Sequence, residues 1–284
     1  MPFHYTAEVA VRQHEVDRFG HLHPAVYLRY LTHAAVEASA AAGFDAAWYA
    51  TAGGLWIVRR SILDVHCPVR TGERVAVRTW VEDFRRVRSE RRYELRVGDA
   101  LRAEARTDWV YVDAASGRPR RVPTEVQAAF DAACEAGRER ADWAAPPAPA
   151  APARTTHRVR VYELDGLGHM NNAAYLDVLA QAVLDTLEGA GWSLERLADV
   201  GMPVLGRADV EYLEPARYGD RLGIVTWFTP APGALDAHQC IVRDGEDRTL
   251  VQATTRWCWP AAARAASPAL PDGLLAAIGP LLAA

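Results

Sequence analysis

The chain has 284 residues and a formal net charge of −4, and 50% of its residues are hydrophobic. At roughly 150 residues per domain this length predicts two domains, and the apolar content is too high for a disordered chain. The slight acidic excess argues against a nucleic-acid partner, which would favour a basic surface. No apolar run approaches the roughly 18 residues that a membrane-spanning helix needs.

The N-terminus and the cysteines predict a cytoplasmic protein. The first residues, MPFHYTAEVAVRQ, lack the charged and then apolar pattern of a signal peptide. The cysteines form no CxxC pair, which is typical of reduced thiols in packing positions. They are Cys67, Cys134, Cys240 and Cys258.

The chain contains the same sequence pattern twice. The segment VRQHEVDRFGHLHPAVYL begins at Val11, and VRVYELDGLGHMNNAAYL begins 148 residues later, at Val159. The register persists downstream, because the pair Thr-Trp at Thr79 recurs at Thr226. Chance does not hold one register within a single residue over about 100 positions, so we interpret the pattern as a duplicated domain.

The duplication sets the predicted domain boundaries. We expect an N-terminal domain over residues 1–140 and a C-terminal domain over residues 156–284. Between them, residues 141–155 contain the run AAPPAPAAPAR. Alternating Pro and Ala are typical of an extended, semi-rigid linker.

Each half predicts the same order of elements. A short strand leads into a polar loop (14–23 and 162–171), and an amphipathic helix (24–42 and 172–190) follows and stops at a glycine. Four β-rich stretches come next, at about 55–66, 73–84, 89–97 and 101–113, and at about 204–213, 220–229, 235–243 and 248–259. One long helix followed by four strands predicts an α+β domain with an antiparallel sheet wrapped round the helix.

A motif in the second half resembles the signature of the hotdog-fold thioesterases. It reads D-x-x-G-H-x-N-N-x-x-Y and consists of Asp165, Gly168, His169, Asn171, Asn172 and Tyr175. With the duplication, the chain is similar to the tandem-hotdog acyl-ACP thioesterases. The first half keeps Asp17 and His21 and is closer to single-hotdog acyl-CoA thioesterases of the 4-hydroxybenzoyl-CoA type. The resemblance implies two hotdog domains that form an intrachain pseudo-dimer.

The resemblance also implies an activity, which is release of a carboxylic acid from an acyl thioester on CoA or on acyl carrier protein. That activity belongs to lipid metabolism and fatty acid biosynthesis and needs no cofactor. Hydrolysis requires an activated water or a nucleophile, and a loop carboxylate can act as general base or as nucleophile. Asp165 and Asp17 are the candidates for this role. Backbone N–H groups at a helix N-terminus can stabilise the oxyanion.

Further side chains complete the predicted site. His169 and Asn171 are placed with the catalytic group, where they could orient the water or bind the carbonyl. Substrate contacts are predicted for Asn172, His21, Tyr175, Arg86 and Arg88. The two arginines belong to the run RRVRSERR, which fits the phosphates of CoA or the acidic surface of an acyl carrier protein.

Structural interpretations of the same residues stay open. An Asp in a loop before a helix often serves only as a turn or capping residue. Asn172 is expected to be the N-cap of its helix whatever else it does, and the RRVRSERR run also fits a solvated strand face. His14, His21 and His23 have no acidic or cysteine partner at a familiar ligand spacing, so we predict no metal site.

Two other function classes fit the same fold. A hydratase or dehydratase is disfavoured, because those relatives place His five residues after Asp, and here the spacing is four. A non-catalytic acyl-binding module would retain the fold and lose the carboxylates, and this chain keeps both. Two features leave room for a homodimer of pseudo-dimers: the fused repeat and the apolar C-terminal segment LPDGLLAAIGPLLAA, which also fits a short packed helix.

Overall fold

The structure is a computed structural model that describes residues 3–130, 142–246, 248–259 and 269–283. The chain divides into two compact units, unit 1 (Met1–Asp142) and unit 2 (Trp143–Ala284). Cys67, Cys240 and Cys258 are free thiols, and Cys134 lies outside the described residues. Among the described residues, no helix is long and apolar enough to cross a membrane.

The described residues of unit 1 form five strands and three α-helices. The strands are β1 (His4–Ala10), β2 (Gly54–Val65), β3 (Arg74–Phe84), β4 (Arg88–Val97) and β5 (Ala100–Asp113). They form an antiparallel sheet in the order β1-β3-β4-β5-β2. The helices are α1 (Pro24–Ala41), α2 (Ala46–Ala52) and α3 (Thr124–Phe130).

Unit 2 repeats this plan. Its strands are β6 (Ala153–Arg158), β7 (Val204–Tyr212), β8 (Arg221–Ala231), β9 (Ala234–Arg243) and β10 (Thr249–Cys258). They form an antiparallel sheet in the order β6-β8-β9-β10-β7. Its helices are α4 (Asn172–Gly189), α5 (Leu194–Val200) and the short α6 (Leu274–Ala277). The predicted long helices and the four strands of each half are therefore confirmed, and the C-terminal segment contains the short helix α6.

Each long helix buries an alanine-rich face against its own sheet. Ala25, Ala34 and Ala38 of α1 are fully buried, and α1 contacts β1 and β3. In unit 2, α4 contacts β6 and β8 in the same way. Alanine lets a helix approach a sheet closely and also has the highest helix propensity, so the alanine-rich sequence favours both helix formation and close packing. Gly43 and Gly191 follow the two helices at φ of 92° and 83°, the left-handed conformation that ends a helix.

The predicted linker is attached to unit 2. The indole Nε1 of Trp143 donates to Thr254 Oγ1 at 3.2 Å, and the carbonyl of Pro146 accepts from Trp227 Nε1 at 3.0 Å. The predicted linker range, 141–155, also overlaps the start of β6 at Ala153. These contacts hold the Pro/Ala-rich run against β8 and β10.

Candidate active site

The loop before α4 is a tight hairpin centred on Asp165. The backbone N–H of Asp165 donates to the His169 carbonyl at 2.8 Å, and the N–H of Gly168 donates to the Asp165 carbonyl at 3.0 Å. Gly168 adopts a φ of 72°, which a residue with a side chain rarely does. In the next backbone hydrogen bond of this hairpin, the N–H of Asn171 donates to the Glu163 carbonyl at 2.8 Å. The hairpin therefore leads directly into the helix N-terminus.

One carboxylate oxygen of Asp165 holds this loop together. Its Oδ1 accepts from the N–H groups of Leu167 at 2.9 Å and His169 at 3.3 Å. Within the described residues, Oδ2 has no hydrogen-bond partner, and the residue is half-buried. The structural role and the catalytic role are thus compatible, because they use different oxygens.

Unit 1 has the same loop around Asp17. Oδ1 of Asp17 accepts from the N–H groups of Phe19 at 2.8 Å and His21 at 2.9 Å. Its Oδ2 lies 3.6 Å from His21 Nδ1, and this nitrogen is buried without a hydrogen-bond partner in the described part of the chain. The structure therefore brings the predicted residues Asp17 and His21 together.

The two helix N-termini differ at the positions where an oxyanion would bind. The N-cap of α4 is Asn171, whose Oδ1 accepts from the Ala173 N–H at 2.9 Å. The prediction that Asn172 is the N-cap was therefore wrong by one residue. Asn172 is the first helical residue, and its N–H meets no acceptor among the described residues. This leaves one backbone donor open at the positive end of the helix dipole.

In unit 1 the corresponding residue cannot donate. Pro24 is the first residue of α1 and has no N–H, and the N-cap His23 makes no side-chain capping bond. The two loops therefore have similar carboxylates and different helix N-termini. Of the two long helices, α4 has an open N–H at its first residue and α1 does not.

The carboxylate and the open N–H of unit 2 are close in the chain. Asp165 is hydrogen-bonded to His169, and the three residues from His169 to Asn172 span at most about 11 Å of extended chain. The structure thus brings Asp165, His169, Asn171 and Asn172 into one loop.

Tyr175 has a structural hydrogen bond. It is buried, its hydroxyl oxygen accepts from the Ala216 N–H at 2.7 Å, and burial raises its pKa to about 12. In unit 1, Tyr27 accepts from the Val69 N–H at 3.0 Å, and burial likewise raises its pKa to about 12. Tyr27 therefore links α1 to the segment before β3, and Tyr175 links α4 to the segment before β8. Substrate contact by Tyr175 stays a prediction.

The predicted docking arginines lie on a hairpin of unit 1. Arg86 and Arg88 are exposed in and beside the turn between β3 and β4. Their backbone carbonyls accept from the N–H groups of Val122 at 3.0 Å and Arg85 at 2.8 Å. Docking by their side chains stays a prediction.

Sequence analysis missed a glutamate that supports each loop. Glu163 accepts from the Arg160 N–H at 2.7 Å and lies 3.0 Å from His157 Nε2. Glu15 accepts from the Arg12 N–H at 2.8 Å and from the Tyr30 hydroxyl at 2.7 Å. The signal was present, because Arg and Glu recur three residues apart at the same place in both halves.

In the described ranges, no group of three or more His, Cys, Asp or Glu side chains could hold a metal ion. The groups that the loop offers for chemistry are the Asp165 carboxylate, the His169 imidazole, the side-chain amides of Asn171 and Asn172, and the backbone N–H of Asn172.

The fold has close structural relatives. A putative oleoyl thioesterase from Lactobacillus plantarum superposes with a TM-score of 0.80 at 18% identity, covering 94% of this chain and 97% of that chain. An acyl-ACP thioesterase from Bacteroides thetaiotaomicron gives 0.71 at 16% identity, covering 89% and 97%. The 12:0-ACP thioesterase from Umbellularia californica gives 0.70 at 14% identity, covering 92% and 99%. These similarities establish the tandem hotdog fold.

Sequence comparison identifies the family. No curated protein matches the chain by sequence. The model of the thioesterase-like superfamily matches twice, over residues 11–130 and 159–278, in agreement with the internal repeat. The chain therefore belongs to the thioesterase-like superfamily.

Proposed function

We propose that the protein hydrolyses an acyl thioester, carried on CoA or on acyl carrier protein, at a single site in unit 2. One observation carries the proposal: Asp165 has an unused carboxylate oxygen in the same loop as the open N–H of Asn172. A thioesterase needs a base or nucleophile on one side of the carbonyl and a donor for the oxyanion. Family membership supports thioester hydrolysis in general.

Each residue of the loop has a part in the proposed reaction. Asp165 Oδ2 activates the attacking water or attacks the carbonyl carbon itself. The N–H of Asn172 donates to the carbonyl oxygen as it becomes an oxyanion, and the positive end of the α4 dipole adds to this stabilisation. In the water route, collapse of the intermediate breaks the carbon–sulfur bond and releases the carboxylic acid, and the thiolate takes up the proton that Asp165 removed from the water. In the nucleophilic route, collapse expels the thiolate and leaves an anhydride on Asp165, which a water molecule then hydrolyses to the free acid. His169 stays a candidate for orienting the water or the carbonyl.

The first experiment is a measurement of free-thiol release from a panel of acyl-CoAs and acyl-ACPs. We expect turnover of at least one substrate, and the panel then identifies the carrier and the preferred acyl group. A folded protein that binds acyl-CoA or acyl-ACP and releases no thiol from any of them would contradict hydrolysis. That result would favour the acyl-binding module instead.

A further inference from the structure

An exposed apolar patch surrounds the Asp165 loop of unit 2. Eight large apolar side chains are exposed in the described part of the chain, and four of them lie here. They are Val161 at 69%, Tyr162 at 82%, Leu167 at 44% and Tyr218 at 62% exposure. Scattered exposed apolar residues are normal, whereas a contiguous group indicates a contact surface.

Chain position and backbone hydrogen bonds place these four residues around the Asp165 loop. The turn that contains Val161 and Tyr162 immediately precedes the loop, and Leu167 donates its N–H to Asp165. The N–H of Gly219 donates to the Val159 carbonyl at 3.1 Å, which places the adjacent Tyr218 beside the same turn. We call these four side chains the loop patch.

Arginines without acidic partners border the loop patch. Arg158, Arg160, Arg217 and Arg221 are exposed. The guanidinium of Arg158 lies 6.0 Å from the Tyr218 ring centroid, and its Cα pairs with that of Arg221 across β6 and β8. Arg217 and His169 form an isolated antiparallel β-bridge, which places the Arg217 backbone beside the Asp165 loop. No ion pair to any of the four arginines is formed within the described residues.

The nearby acids are used inside the fold. Glu163 is bonded to the Arg160 backbone and to His157. Asp220 pairs with Arg243 at 3.0 Å and accepts from the Arg217 N–H at 2.9 Å. Glu163 and Asp220 therefore already have partners other than the side chains of the four exposed arginines.

Unit 1 shows that the fold does not need the loop patch. The equivalents of Val161, Tyr162 and Tyr218 in the repeat are polar, and the equivalent of Leu167 is the half-buried Phe19. These polar residues are Gln13, His14 and Thr71. Since unit 1 builds the same loop without the patch, the four exposed side chains require an explanation outside the fold.

We propose that the loop patch and its arginines dock the acidic face of an acyl carrier protein. An apolar centre with exposed Tyr and Arg matches the composition of protein interfaces, and the arginines complement an acidic partner. A site for the nucleotide of CoA would need ligands for its phosphates and one side chain that stacks on its base. The loop patch has four exposed apolar side chains, which fits a protein surface better than a nucleotide. The inference rests on the proposed function, because docking here delivers the carrier's thioester arm to Asp165.

The test uses binding and kinetics on the full chain. The charge-reversal variant Arg158→Glu/Arg160→Glu and the variant Tyr162→Ser alter the surface and leave the Asp165 loop intact. The control Arg70→Glu/Arg74→Glu makes the same change of net charge on unit 1, at the repeat equivalents of Arg217 and Arg221. The probe is a bacterial acyl carrier protein in its holo form, without an acyl group, so that binding is measured without hydrolysis.

We expect the wild type and the control variant to bind the holo carrier with equal affinity. Both surface variants should bind it at least about tenfold more weakly, because the loss of one interface hot spot lowers affinity by about this factor. The KM for an acyl-ACP should rise in parallel, and hydrolysis of the same acyl group on a short pantetheine thiol should not change. Unaltered carrier binding and KM in both surface variants would overturn the proposal. So would loss of binding in Arg86→Glu/Arg88→Glu instead.

The two proposals fail separately. If wild type binds the holo carrier through this surface and hydrolyses no thioester, the docking surface stands and the proposed hydrolysis fails. If wild type hydrolyses acyl-CoA and short thioesters and does not bind the holo carrier, hydrolysis stands and the docking surface is refuted.

Discussion

The side chain of Asn171 accepts a hydrogen bond of 2.9 Å from the N–H of Ala173 and thereby caps α4. Replacing an N-cap Asn by Ala costs about 1 kcal/mol, because the helix loses a partner for one of its first N–H groups. We therefore expect Asn171→Ala to lower the free energy of unfolding by about this amount. Denaturant titration of Asn171→Ala beside Asn172→Ala measures it, and equal losses in the two variants would contradict the assignment of the cap.

The open N–H of Asn172 can be removed without disturbing the helix. Proline is favoured at the first position of a helix, and unit 1 has Pro24 there. Asn171 has φ of −59° and ψ of 140°, which suits a residue before proline. We expect Asn172→Pro to lower kcat about 10²–10³-fold, the effect of losing one oxyanion donor, with an unchanged melting temperature.

The control for this variant is Asn172→Ala, which keeps the N–H and loses the side chain. It should retain most of the activity if the backbone group is what matters. Equal losses in Asn172→Pro and Asn172→Ala would assign the effect to the amide side chain, and the proposed oxyanion donor would then be wrong.

The two aspartates separate a single site from two sites. Asparagine in place of Asp165 or Asp17 keeps an Oδ1 that accepts the loop N–H groups and loses the charge, so both variants should fold. We expect Asp165→Asn to lower kcat by at least about 10²-fold, as for the loss of a general base, and Asp17→Asn to have little effect. Thiol release by the purified variants measures both, and equal, partial losses would indicate two working sites.

Much of the architecture could be predicted because the repeat supplies a second copy of every signal. Pro24 and Asn172 mark the start of the long helices, and Gly43 and Gly191 mark their ends. The short helices were missed because seven residues are too few to show a helical period. Their capping signals were nevertheless present, since the side chain of Asp45 accepts from the Trp48 N–H at 2.8 Å in α2.

The details of the site needed coordinates. Asn171 and Asn172 are equally good N-caps by residue type, and only the extended backbone of Asn171 decides between them. The sequence placed Asp165 in a loop, and the structure added that Oδ1 accepts both loop N–H groups while Oδ2 accepts none within the described residues. Burial of the Tyr175 hydroxyl against Ala216 depends on packing between a helix and a distant segment, which no local pattern contains.

A buried histidine in unit 2 predicts how stability depends on pH. His238 on β9 is 6% exposed, and its Nε2 and Nδ1 lie 2.6 Å from Thr229 Oγ1 and 3.1 Å from Thr254 Oγ1. Burial lowers its pKa below the ordinary value of 6.5, and the Asp236 carboxylate opposes that shift. The unfolded chain therefore takes up this proton at a higher pH than the folded chain.

It follows that the free energy of unfolding falls as the pH drops through about 6.5 and below, because the unfolded state binds more protons there. We expect His238→Gln, which keeps polar atoms near the two threonines and cannot be protonated, to lose part of this fall between pH 7.5 and 5.5. His66→Gln is the matched control, because His66 is exposed and pairs with Glu104. Denaturant midpoints at the two pH values measure the difference. A pH dependence equal to that of wild type in His238→Gln would show that this histidine does not couple protonation to folding.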